Sequence, residues 1–192
     1  MAIDSPATIA ILGAGPIGLE AALYARFLGY QVQLLERGSV AENVRAWGHV
    51  KLFSPFRMNR SPLGLAALAA QYAQWQPPDD DALLTGREFA QQYLLPLSQT
   101  DLLADCIDEH TQVVAIGRAG LLKSELVGDL HRAEAPFRVL VRGRNDGERF
   151  VTADIVVDAT GTYGNHGWAG QGGVPALGEL DAAPGIAYDL PD

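Results

Sequence analysis

The sequence predicts an α/β fold in which a parallel sheet carries inserted helices and an antiparallel β-meander. Two stretches carry that prediction. A short apolar run, Thr8 to Leu12, passes through a glycine-dense turn, Gly13 to Gly18, into a helical pattern, and a second run, "QVQLLER", follows at Gln31 to Arg37. Strand, tight turn, helix and strand in that order make a βαβ unit with parallel strands and a right-handed crossover. Later, "FRVLVRG" and "ERFVTADIVVDAT" flank Asn145-Asp146-Gly147. That pattern reads as antiparallel strands leading into a buried apolar strand, Ile155 to Val157.

Between these landmarks the elements follow from local chemistry. Pro16 to Leu28 is apolar over most of a helix, with Glu20 and Arg26 as polar breaks and Gly29 at the C-cap place. Gly38 to Arg60 reads as irregular. Ser61-Pro62 supplies a cap and a first-turn proline for a helix over "LGLAALAAQYAQW", which stops before Pro77-Pro78. "PPDDDALL" is a turn-rich connector. Thr85 to Glu88 has capping-box spacing and opens a second helix, with Pro96 as its kink or end. "TQVVAIGR" reads as a strand. Beyond Gly161 the chain turns to Gly, Pro and Ala with little periodicity up to Asp192, which reads as loop or linker.

Composition narrows the function classes. The chain has 192 residues, 48% of them hydrophobic, enough for one globular domain with a real core. A net charge of -9 disfavours a nucleic-acid or anionic-membrane partner. No apolar run approaches the ~18 residues of a spanning helix, and Met1 to Pro6 lacks a basic leader region. The lone Cys106 has no internal disulfide partner, and a cytoplasmic setting is the simple reading.

The glycine turn holds the chemistry. In Gly13-Ala14-Gly15-Pro16-Ile17-Gly18 the first glycine permits the tight turn out of the strand. A side chain at Gly15 would block a pyrophosphate, and one at Gly18 would hold the helix off the sheet. The helix N-terminus then faces the diphosphate with unpaired N–H groups and a partial positive charge. Glu36 closes the second strand, followed by Arg37, where a carboxylate accepts hydrogen bonds from both ribose hydroxyls. A dinucleotide is therefore expected here; this unit alone leaves FAD and NAD both open.

Two later segments carry a family resemblance. "DIVVDATGTYG", Asp154 to Gly164, resembles the Ala-Thr-Gly segment that closes the first half of the FAD domain in flavoproteins with two dinucleotide-binding domains, which singles out Thr160 and Gly161. "TQVVAIGR" is similar to the strand whose backbone meets the adenine ring in that superfamily, with Val113 at the contacting place. The whole resembles class B-like flavin monooxygenases and related FAD/NAD(P)-dependent oxidoreductases. The resemblance implies a Rossmann-like FAD-binding domain of the glutathione-reductase type over residues 1–164, with a helical insertion at about 61–104 and the meander at about 136–153. Residues 165–192 then form a linker toward an NAD(P)-binding domain, because no second fingerprint follows. The expectation is the N-terminal part of a longer flavoprotein, inactive alone. Such monooxygenases often carry a Gly-Gly pair before a tryptophan; "ENVRAWGHV" has Trp47 without the pair, and the subclass stays open.

In the loop from Gly38 to Arg60, Arg45, Lys51, Arg57 and Arg60 outnumber the single acid Glu42, with Trp47, Phe53 and Phe56 interleaved. This composition suggests cations near the diphosphate and aromatics beside the flavin, with His49 and Ser54 as further polar contacts and Arg45 and Trp47 as the strongest candidates. Other signals lead nowhere. Cys106 and His110 supply too few ligands for a metal, and a buried thiol is the simpler reading. His131 reads as solvated and His166 as a loop histidine. Tyr72 and Trp75 read as packing, and Asp79 to Asp81 as solubility. No side chain is assigned as general acid or base.

The function expected is an NAD(P)H-dependent flavoprotein oxidoreductase, monooxygenase-like, with FAD as cofactor, NAD(P)H as co-substrate and a small-molecule substrate. Its other partner is the remainder of its own chain; neither nucleic acid nor membrane is expected, and a homodimer stays open. The alternatives are a nucleotide-binding fragment without turnover and an NAD-dependent dehydrogenase domain.

Overall fold

The computed structural model describes residues 7–145 and 147–188. Met1–Pro6, Asp146 of the expected turn and residues 189–192 of the expected linker lie outside the described residues. The chain begins as expected with β1 (Thr8–Leu12), α1 (Pro16–Phe27) and β2 (Gln31–Leu35). Helix α1 ends in a glycine-terminated turn. Gly29 takes φ +87°, its N–H donates to the Arg26 carbonyl, and Tyr30 N–H reaches back to Ala25 O, both at 3.0 Å.

The loop from Gly38 to Arg60 is more regular than expected, holding α2 (Glu42–Ala46) and α3 (Phe56–Asn59). Neither is capped by a side chain, so neither has a sequence signal. Tertiary contacts fix α2 instead: Ala41 N–H donates to Ala14 O at 3.0 Å, and Val44 is buried. Phe56 belongs to the core, edge-on to Tyr93 with centroids 5.5 Å apart.

Helix α4 (Pro62–Gln71) starts as the sequence indicates, with Ser61 Oγ accepting from Gly64 N–H at 2.8 Å. It stops before Tyr72 rather than running to Trp75. Both aromatic side chains turn to carbonyls of the neighbouring helical segment, Tyr72 Oη to Gln99 O at 3.2 Å and Trp75 Nε1 to Gln92 O at 3.0 Å. That segment is α5 (Gly86–Phe89), a wider π turn over Ala90–Leu94, and α6 (Leu95–Ser98). Both halves of the Thr85/Glu88 capping box are made. Pro96 lacks the N–H that would bond residue 92 in an α-helix, and the π turn absorbs it while the Trp75 indole serves the Gln92 carbonyl.

A two-residue strand, β3 (Ile107–Asp108), joins β2 and was not anticipated. The meander follows as β4 (Thr111–Arg118), β5 (Phe137–Gly143) and β6 (Gly147–Ala153), and β7 (Ile155–Asp158) returns to the first sheet. That sheet is parallel with order β3-β2-β1-β7, pairing Ile11 with Leu34 on one side and with Val157 on the other. The meander forms its own antiparallel sheet, with a bulge between Val113 and Ala115.

Period-two alternation makes three layers. Ile9, Ile11 and Leu34 point into the core shared with α1 and the inserted helices, where Leu19, Leu23, Leu68, Tyr93 and Leu97 are buried. Leu12 and Leu35 point the other way, onto Val139, Val141 and Val151 of the meander. After β7 the chain is not wholly irregular. Short helical turns, including α7 (Glu179–Ala182), gather around Glu179, whose carboxylate accepts from the N–H groups of Ala169 and Ala176 and from Tyr188 Oη. His166 lies in this cluster, stacked on Tyr188 at 3.7 Å and edge-on to Trp168. Among the described residues no helix is long and apolar enough to cross a membrane.

Candidate nucleotide site

All four parallel strands end at the same side of the molecule. The chain leaves β1 toward β2, while β7 lies on the other flank of β1, so the loops after β1, β2 and β7 open a crevice at the point where the strand order reverses. The three glycines of the first loop differ in what a side chain would meet. Gly13 has φ +94°, and a Cβ there would lie 2.8 Å from Ala159 O. At Gly18 a Cβ would lie 1.8 Å from Gly13 O. At Gly15 it would meet no atom of the described residues within 4 Å. The first two glycines serve the fold; the third faces open space.

Glu36 turns toward this corner. Its Oε2 accepts from Ala14 N–H and its Oε1 from Gly38 N–H, each at 2.7 Å. Both oxygens keep lone-pair capacity beyond these bonds, and the carboxylate is held in one orientation. On the opposite wall Asp158 Oδ1 accepts from Thr160 N–H at 3.0 Å and Thr160 Oγ1 at 2.7 Å, and these bonds hold its carboxyl below the usual range. The loop that carries Thr160 and Gly161 is thereby fixed against β7.

Two clefts adjoin at the corner. One, of about 300 Å³, is lined by Thr111, Gln112 and Val113 of β4 and by Asn165. The other, of about 320 Å³, is lined by Gly15, Pro16, Ile17, Val44, Trp47 and Tyr163. They share Gly13, Glu36, Arg37, Asn43, Thr160 and Gly161. Of the residues that line the second cleft, Trp47 and Tyr163 have their polar atoms, Nε1 and Oη, out of solvent and without a hydrogen-bond partner among the described residues; Glu20 Oε2 and His166 Nε2 are in the same state elsewhere.

Residues 8–43 match the family described as pyridine nucleotide-disulphide oxidoreductase. No curated protein matches the chain. Among solved structures, a bacillithiol disulfide reductase from Bacillus cereus superposes with a TM-score of 0.62 at 18% identity, over 85% of this chain and 42% of that one. OTEMO in complex with FAD and NADP gives a TM-score of 0.55 at 19% identity, over 83% of this chain and 26% of that one. An oxidized steroid monooxygenase bound to NADP gives 0.55 at 22%, over 80% and 26%. The fold is the Rossmann-like one of FAD- and NADP-dependent oxidoreductases. The chain spans less than half the length of these structures.

Most of the residues singled out in the sequence converge. Gly13, Gly15, Pro16, Ile17, Glu36, Arg37, Trp47, Thr160 and Gly161 line the second cleft, and Val113 lines the first. Ala14 is buried behind the turn and contributes its N–H to Glu36. Gly18 packs against Gly13 and does not line either cleft.

The cations of the 38–60 loop do not converge. Arg45 lies exposed on α2, outside both clefts. Arg57 pairs with Asp81, and Arg60 with Asp80 at 2.9 Å, so these acids of the connector bind the loop rather than merely solubilise the chain. Lys51 bridges to Thr85 through the backbone, Phe53 is fully exposed, and Ser54 bonds Asn59. His49 lines neither cleft. Of that loop only Ala41 to Val44 and Trp47 reach the site. Asn43 and Tyr163 were not singled out beforehand. Asn43 sits on a helix with no sequence signal, and Tyr163 follows the Ala-Thr-Gly segment too closely to stand apart from it.

Cys106 is 7% exposed, and burial pushes its thiol up to about 11. Between it and His110 lies the strand β3, and His110 takes φ +54°. His131 is exposed and bonds Asp129 through Nδ1 at 2.7 Å.

Proposed function

We propose that this chain is the FAD-binding portion of an NAD(P)H-dependent flavoprotein oxidoreductase of the monooxygenase-like kind. The observation that carries the reading is the corner itself, where bare backbone at Gly15 opens beside a Glu36 carboxylate fixed by two N–H groups. A diphosphate fits such a place, because the N-terminus of the twelve-residue α1 presents unpaired N–H groups to it. The ribose hydroxyls of the adenosine would bond Glu36, and the adenine would lie in the first cleft along the backbone of Val113. Thr160 and Gly161 would close over the diphosphate from the β7 side.

When bound, FAD would supply the redox chemistry, taking electrons from NAD(P)H and passing them to O₂ or an organic substrate. The chain itself binds and orients. A dithiol route through this segment is disfavoured, since its one cysteine is buried in the core away from both clefts. The NAD(P)-binding domain would be supplied by the remainder of a longer chain, in keeping with the larger neighbours.

Purification and ligand-shift melting test the reading. The protein should bind FAD, become yellow, and melt at a higher temperature with FAD than without it. Stabilisation by NAD with none by FAD would replace the proposal with an NAD-dependent dehydrogenase domain.

A further inference from the structure

The meander turns one face to the parallel sheet and the other away from the body. Val139, Val141 and Val151 point inward onto Leu12 and Leu35, so period-two alternation sends Arg138, Leu140, Arg142 and Phe150 outward. A solvated antiparallel face is ordinarily polar. This one carries an apolar row across all three strands, with Ala115 paired to Leu140 and Leu140 to Phe150. Phe150 is 53% exposed, and Val114 stands exposed at the bulge beside the row. Arg138 and Arg142 flank Leu140 along β5. The Arg138 guanidinium carbon lies 3.6 Å from the centroid of the Phe150 ring, and no carboxylate of the described residues pairs with it, whereas Arg142 bonds Glu148 at 2.7 Å.

Dimensions and charge say what fits there. Three strands spaced by about 4.8 Å span about 10 Å, which is about two turns of an α-helix. The flanking arginines, four residues apart on one strand, leave about 14 Å between them, room for a helix about 10–12 Å wide. Half of the chain's 14 Lys and Arg residues lie between Thr111 and Ala153, but only five of its 23 Asp and Glu, so the meander is net positive in a chain of net charge -9. Screening confines exposed charges to about 10 Å, so a partner at this face meets the meander and not the acidic body behind it. Aromatic residues and Arg are the side chains enriched at protein interfaces. One unpaired cation on an apolar row is too little for a phosphate backbone or an anionic lipid surface.

We infer that the outer face of the meander docks an acidic amphipathic helix of a partner protein, with the apolar stripe on the Leu140–Phe150 row and the carboxylates on Arg138 and Arg142. The face is separate from the crevice, whose lining includes neither of these arginines nor Phe150. The inference therefore stands apart from the nucleotide reading.

Calorimetric titration of the 192-residue protein with a synthetic helical peptide, leucine along one face and glutamate on both flanks, tests it. The parent protein should bind the peptide, less tightly as salt rises. Arg138→Glu opposes like charges, and Phe150→Thr breaks the apolar row with a residue that strands accept. Each variant should melt cooperatively and bind at least about 10-fold more weakly. No binding by the parent, equal binding by Arg138→Glu, or equal binding of a peptide with lysine in place of glutamate would overturn the inference. Binding to phosphatidylserine-containing vesicles with none to the peptide would overturn it in favour of a lipid contact. Self-association of the parent, seen by sedimentation and abolished by Phe150→Thr, would overturn it in favour of a second copy.

Discussion

At Gly13, Gly15 and Gly18 three identical residues do three different jobs, and the distances separate them. Gly18 is a packing residue: its missing side chain lets α1 approach the backbone of the turn, where a methyl group would overlap the Gly13 carbonyl oxygen. Gly18→Ala should therefore lower stability by about 1–3 kcal/mol through overpacking, measured by urea denaturation. It should do so whether or not nucleotide is added. Gly15, with open space around it and φ -78°, carries no such demand from the fold. That Gly13 and Gly18 serve the fold was legible in advance, because a strand-to-helix turn of this spacing imposes it geometrically. The loop arginines were not legible. Arg57 and Arg60 follow the glycine turn closely enough in sequence to be candidates for an anion, yet their partners Asp81 and Asp80 come from a connector that spacing alone does not bring to them.

Among the elements, the segment from Thr85 to Ser98 best illustrates how local rules and tertiary demands combine. Its start follows a local rule, and the capping box forms with both bonds in place. Its middle follows from Pro96: the ring cannot continue the α-helical ladder, and the helix widens into a π turn. The Trp75 indole then donates to the Gln92 carbonyl, which links α4 and its following turn to this segment. Trp75→Phe keeps the ring packing and removes that donor, so it should cost about 0.5–1.5 kcal/mol, read as a lower denaturation midpoint at constant m-value. The same logic explains the elements that sequence did not foretell. Helix α2 has no capping side chain, and its entry residue Ala41 sits at φ +56° because its N–H is anchored to Ala14 O. Only the folded neighbour supplies the reason for that helix. Strand β3 is two residues long and exists by pairing with β2, which is too little for periodicity to reveal.

For the molecule as a whole, the three-layer arrangement places a thiol in the core next to charges. Cys106 is pushed from 9.0 up to about 11, chiefly by burial, against the pull of the nearby Arg26. The unfolded chain thus releases this proton at lower pH than the folded one. The thiol's contribution is complete below pH 9, is lost as pH rises toward about 11, and is constant beyond. Tyr93 is raised in the same direction by its burial and by its bond to Glu20, so the contrast with Cys106→Ala isolates the cysteine. The stability of the parent protein should fall more steeply than that of the variant between pH 9 and pH 10.5, an interval within the window those values define. Parallel curves would contradict the burial that the fold assigns to Cys106.

The layers also set where the glycine corner lies, at the strand ends where two clefts meet, the place proposed for a nucleotide diphosphate against bare backbone. Calorimetric titration of ADP into the parent protein and Gly15→Val, with melting curves of both, decides whether one rests there. The variant should fold with a loss of about 1 kcal/mol, the cost of a poor residue at a helix N-cap, and should no longer bind ADP, whereas the parent protein should. Equal ADP binding by the two proteins, or none by the parent, would contradict that proposal.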